Sequence, residues 1–146
     1  MNTLAEITIN YKPAFKFYEM PVITSSRDCE SHFRRVWSDK LSHCEEFLIM
    51  LLNRANKILG YSVISVGGTC GTVADPKIIF QTALKANAAS IILAHNHPSG
   101  QLKPSEADLN LTKKIVSAGK MLDLPVLDHI ILTEEGFYSF ADEGLM

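Results

Sequence analysis

Residues 90–108 read Ser90-Ile91-Ile92-Leu93-Ala94-His95-Asn96-His97-Pro98-Ser99-Gly100-Gln101-Leu102-Lys103-Pro104-Ser105-Glu106-Ala107-Asp108. Ser90 to Ala94 is a short, continuously apolar run, the pattern of a strand buried on both faces. His95 begins a polar loop that continues from Asn96 to Pro104, with Pro98, Gly100 and Pro104 restricting its path. Ser105 then starts a helix. Ala107, Leu111, Ile115, Ala118 and Leu122 follow one another at spacings of 4, 4, 3 and 4, a single apolar stripe. A buried strand leading through a loop into an amphipathic helix is a unit of an α/β protein.

Working outward, Val126 to Leu132 predicts the next strand, and Glu134-Glu135-Gly136 turns into a last short one at Phe137–Phe140. Upstream, Phe47 to Leu52 is another continuous apolar run. Ile58 to Val66 carries the β-branched and aromatic residues typical of strands, and Gly67-Gly68 ends it. Gly71-Thr72-Val73-Ala74 reads as loop. Asp75-Pro76 opens a helix with a capping Asp and a Pro at its first position, where the missing N–H costs nothing. Ser25 or Ser26 caps a helix to about Ser38, with Cys29, Phe33, Val36 and Trp37 on one face. Its Arg34-Arg35 pair reads as a solvated face, with a nucleic-acid contact as the alternative. Ile7, Ile9 and Tyr11 alternate with polar residues, which suits a short edge strand in an arm packed on the domain. Adjacent strands without intervening helices point to a mixed sheet, so the fold class is α/β with a mixed, partly antiparallel sheet.

The chain has 146 residues, enough for one core without disulfide staples, and 47% hydrophobic residues exclude a disordered chain. Fourteen Lys and Arg against sixteen Asp and Glu give a formal net charge of −2. A domain that grips nucleic acid through phosphates should be basic, so whole-chain charge does not support DNA association. Three cysteines, Cys29, Cys44 and Cys70, form no C-x-x-C pair and suit a reducing compartment. No segment reaches the about 18 apolar residues of a membrane span, and the N-terminus has no signal-peptide pattern. A cytoplasmic protein with no membrane partner is expected.

The chemistry lies in the opening stretch. His95 and His97 are two apart at a strand end, where extended backbone points residues i and i+2 the same way. Two imidazoles so placed can meet one metal ion. Asp108, in the first helical turn, can reach back over the loop as a third, oxygen ligand. Three protein ligands leave a fourth tetrahedral position for water, the arrangement of catalytic rather than structural zinc. Nitrogen and oxygen ligands suit Zn²⁺, with Fe, Mn and Co as alternatives. Ser105-x-x-Asp108 is also a helix-capping pattern, and both readings can hold at once. His129 beside Asp128 reads as a hydrogen-bonded pair, or as a partner that orients a ligand, not as a ligand itself. His32 and His43 read as surface residues. No His-Glu-x-x-His, zinc-deaminase or phosphate-loop pattern is present.

His95-x-His97, seven residues, Ser105, two residues, Asp108 matches the JAMM motif of the JAB/MPN metalloproteases. The fuller His-Asn-His-Pro-Ser-Gly string, with Leu127-Asp128-His129-Ile130 and Phe140-Ala141, resembles the RadC family in particular. The resemblance runs from about Glu45 to the C-terminus. It implies a JAB/MPN (cytidine-deaminase-like) fold, a curved mixed sheet packed with helices, over residues 45–146. Residues 1–44 then form an arm and helix packed on a single domain. They are too short for the helix-hairpin-helix DNA-binding region of longer RadC proteins, and any DNA-repair role rests on the family name alone.

The resemblance implies one zinc per chain on His95, His97 and Asp108, with Ser105 holding the water or stabilising an oxyanion. It also implies a Glu as general base. Strand alternation lets only one of Glu45 and Glu46 reach the metal and does not choose between them. RadC-like sequences carry a Glu two residues before a Phe, which here is Glu45. The expected activity is zinc-dependent hydrolysis of a peptide or isopeptide bond in an unidentified peptide or protein substrate. The alternative is a non-catalytic zinc-containing module that acts through protein or DNA partners in a DNA-linked process.

Overall fold

The computed structural model describes residues 4–67 and 74–146. Cys70, the Gly68 end of the second strand and the loop read at residues 71–73 lie outside the described residues. The elements are α1 (Ser26–Val36), β1 (Glu46–Leu52), β2 (Ile58–Val66), α2 (Pro76–Lys85), β3 (Ser90–Asn96), α3 (Glu106–Met121), β4 (Val126–Leu132) and β5 (Phe137–Ser139). One five-stranded sheet has the order β2-β1-β3-β4-β5. β1 runs antiparallel to β2 and to β3, β3 and β4 are parallel, and β5 returns antiparallel to β4. The sheet is therefore mixed, as the strand spacing predicts.

Every residue of β1 and β3 is buried, which explains why both read as unbroken apolar runs. Alternation sends Phe47, Ile49, Leu51, Ile91 and Leu93 to one face, under Ile79, Phe80 and Ala83 of α2 and Ile115 of α3. Leu48, Met50, Leu52, Ile92, Ala94, Ile130 and Leu132 line the other face, covered by Cys29 and Phe33 of α1. The three helices start where local chemistry says. Ser25, Asp75 and Ser105 are the N-caps, each accepting a backbone N–H of the first turn.

Four expectations are corrected. First, β3 does not end at Ala94. His95 pairs with Phe47 and Ile131, and Asn96 pairs with Leu132, so neighbours on both sides hold two more residues in the sheet. Second, residues 7–11 form no strand, and Ile7 and Ile9 are 92% and 76% exposed. The chain meets the start of β2 later, where Ile23 N–H donates to the Asn56 carbonyl and Ile58 N–H to that of Pro21. Third, Arg34 is not simply part of a solvated face, although its neighbour Arg35 is exposed. The Arg34 guanidinium donates to the Thr133 and Gly136 carbonyls and pairs with Glu30, clamping the β4–β5 turn onto α1. Fourth, Asp128 and His129 are hydrogen-bonded, but through the His129 main chain and not its ring. The Asp128 carboxylate accepts the His129 and Ala141 backbone N–H groups and the Ser139 hydroxyl, on the face opposite the His129 ring. Among the described residues no helix is long and apolar enough to cross a membrane.

Candidate metal centre

β3 carries His95 on its α3 face and turns Asn96 to the other. Just past the strand, His97 N–H donates to the Leu132 carbonyl, so the alternation holds for one more residue and both imidazoles share a face. Gly100, at φ 86°, occupies the left-handed region open to glycine and closes a turn back onto the His97 carbonyl. This turn brings the Gln101 carbonyl to 2.6 Å from His97 Nδ1. At the start of α3, the Asp108 N–H donates to Ser105 Oγ at 3.1 Å and the Ser105 N–H to Asp108 Oδ2 at 2.8 Å. The reciprocal cap holds the Asp108 carboxylate at the mouth of the loop.

The three side chains converge. His95 Nε2 and His97 Nε2 are 3.0 Å apart, and the Asp108 oxygens lie 3.3 Å from the first and 3.2 Å from the second. Ligands at 2.0–2.1 Å from one tetrahedral zinc are separated by about 3.3–3.4 Å, so these separations approach the edges of such a polyhedron. A carbonyl only accepts, so His97 Nδ1 carries the proton given to Gln101, and in the neutral ring Nε2 is a bare lone pair. Lone pairs and a carboxylate facing one another at 3.0–3.3 Å form a donor set complementary to a cation. Burial opposes charge on Asp108, but its contacts with the His95 and His97 rings, and with the Ser105 N–H, outweigh it and hold the carboxyl well below its usual range. Burial also opposes charge on His97, yet Asp108 and the Gln101 carbonyl raise its pKa.

A second carboxylate approaches. Ligand atoms of Glu45, His95 and His97 lie within 4.8 Å of one another. Asp108 is in closer contact with both rings, so the two acids stand at different ranges from the pair. Glu46 points the other way, buried, with its carboxylate accepting from Ser38 Oγ at 2.7 Å. Ser105 is exposed, and among the described residues its own hydroxyl proton is donated to none.

Residues the motif does not announce complete the site. Asn96, fully buried, donates to the Leu41 and Cys44 carbonyls and accepts from Glu46 N–H, which pins the turn that presents Glu45. Phe47 stacks parallel to His95, and Phe140 stacks on His129. His129 is fully buried, its Nε2 2.7 Å from His95 Nδ1 and its Nδ1 2.7 Å from Thr112 Oγ1. Burial, then the neighbouring His95, pushes the His129 pKa well below the ordinary imidazole value. The sequence does hold a signal for Thr112: it lies one helical turn after Asp108, on the same face.

A family model described as RadC-like JAB domain matches residues 23–145, a span that takes in α1. An UPF0758 protein of Flavobacterium johnsoniae is 46% identical over 123 residues, covering 84% of this chain and 53% of its own length. One from Thermosynechococcus vestitus is 47% identical over 98 residues, 67% of this chain and 39% of its own. One from Porphyromonas gingivalis is 40% identical over 131 residues, 88% of this chain and 57% of its own. The chain spans about half the length of the curated relatives it matches.

Proposed function

We propose, since this chain belongs to the RadC-like JAB domain family, that it is a zinc-dependent hydrolase of the JAMM type, cleaving a peptide or isopeptide bond. One observation carries the reading: His95 Nε2, His97 Nε2 and the Asp108 carboxylate meet at 3.0–3.3 Å, with a second carboxylate, Glu45, beside them. His95, His97 and Asp108 would hold the ion. Zinc held there would supply Lewis acidity and would lower the pKa of a water from 15.7 to about 7.

Glu45 takes the proton from the attacking water and delivers it to the leaving amine. Its half-buried place at the head of β1 supports this role, whereas Glu46 is committed to Ser38. The Ser105 hydroxyl donates to the carbonyl oxygen as negative charge builds on it. Cytoplasmic placement belongs to the same reading: Cys29 and Cys44 are free thiols, as suits a reducing compartment.

The test is Glu45→Gln, assayed beside the wild type, both zinc-loaded, on a library of peptides and lysine-linked isopeptides. The variant should keep stoichiometric zinc and lose about 10²–10⁴ in kcat/KM. A wild type that cleaves no library member, or a variant as fast as the wild type, overturns the reading.

A further inference from the structure

We propose that Thr112 and His129 are positioning residues that fix the tautomer of His95, so that its Nε2 is presented to the metal as a bare lone pair. The argument starts from a group that can act in one way only. Thr112 Oγ1 lies 2.7 Å from the Asp108 main-chain carbonyl, and a carbonyl only accepts. The single hydroxyl proton of Thr112 is therefore given to Asp108. Its oxygen is left as an acceptor toward His129 Nδ1, 2.7 Å away, so that nitrogen carries a proton.

The His129 ring is fully buried and has no carboxylate among its hydrogen-bond partners, so it stays neutral. A neutral imidazole with a proton on Nδ1 has a bare Nε2. That atom faces His95 Nδ1 at 2.7 Å and must accept from it. His95 then holds its proton on Nδ1, and Nε2 is free toward His97 and Asp108.

Every donor in the series has one acceptor, and the direction is set by a backbone group that no side-chain rotation reverses. The series leaves the ring of one residue of the metal cluster and ends on the main chain of another, joining β3, β4 and the first turns of α3. His97 reaches the same state by a shorter route, through the Gln101 carbonyl. Metal-binding histidines are oriented by partners on their second nitrogen, and loss of such a partner costs about 10–100-fold in metal affinity. Here the partner is itself a two-faced ring, whose direction depends on Thr112. With Thr112 replaced by Val, His129 is free to carry its proton on Nε2 and donate to His95. That moves the His95 proton to Nε2 and blocks the ligand.

For its consequence, though not for the tautomer itself, the inference rests on the metal-site reading. The experiment separates the two. Imidazole ¹⁵N NMR of the metal-free protein, above the pH at which the histidines take up protons, reads the tautomer directly. Zinc titration with a competing chelator reads affinity. Wild type is expected to show His95 protonated on Nδ1. Thr112→Val is expected to move the proton toward Nε2 and weaken zinc about 10–100-fold, while Thr112→Ser restores both. An Nε2-protonated His95 in the wild type overturns the inference, as does a Val variant with unchanged tautomer and affinity. A wild type that binds no zinc but shows the expected tautomer contradicts the metal-site reading and leaves the hydrogen-bond series supported.

Discussion

Ser105 shows how one side chain holds two roles. Its oxygen caps α3 through Asp108 N–H, and in the proposed function its proton is given to a substrate oxygen. Ser105→Ala should keep zinc, slow turnover by about 10²–10³, and destabilise the fold by about 1 kcal/mol through the lost cap. Steady-state rates beside a urea melt separate the two effects, and an unchanged kcat would leave Ser105 as a cap alone. At this scale the two histidines and the aspartate were legible because strand alternation and the first helical turn are local geometry. Alternation could not choose between Glu45 and Glu46, since both faces of β1 are equally apolar. Ser38 settles the orientation of Glu46, and nothing in the sequence marks it as a partner eight residues upstream. His129 is legible as a candidate partner, but only its main chain bonds Asp128, while its ring meets His95 and Thr112. Adjacent residues in a strand face opposite ways, so the Asp128 side chain is one that the His129 ring cannot meet.

At the scale of elements, the joint between α3 and β4 sets where the site's helix ends. Leu124 N–H returns to the Gly119 carbonyl at 2.8 Å, and a Cβ added to Gly119 would run into the Leu124 carbonyl oxygen. Helix propensity alone favours Ala over Gly by about 1 kcal/mol. Overpacking against backbone costs about 1–3 kcal/mol and should win. Gly119→Ala is therefore expected to lower the urea midpoint, and a raised midpoint would show that the turn yields. Helix starts were legible from Ser25, Asp75 and Ser105 because a cap is a local bargain between one side chain and the N–H groups just after it. The end of β3 was not, because β1 and β4, remote in sequence, extend it. The alternation at Ile7, Ile9 and Tyr11 misled for the converse reason: a period of two makes a strand only where a partner edge is offered, and residues 21–23 reach the start of β2.

Across the whole molecule, the sheet order brings these pieces to one end. The cluster sits at the C-terminal end of β3, where a parallel strand passes through α3 to its neighbour β4, the usual place for a ligand in an α/β sheet. β1, antiparallel on the other side, delivers Glu45 to that same end by entering the sheet where β3 leaves it. The fold class followed from the periodicities, while the strand order, which decides that Glu45 and His95 meet, depends on long-range pairing that no short window contains. The proposed function makes this end of the sheet a zinc site with an open position. Diffraction from zinc-loaded crystals across the zinc absorption edge tests it most directly. The account predicts one anomalous peak per chain, about 2.0–2.2 Å from His95 Nε2, His97 Nε2 and an Asp108 oxygen, with Glu45 no more than one water away. No peak there, or an ion held by Glu45 in place of Asp108, would contradict it.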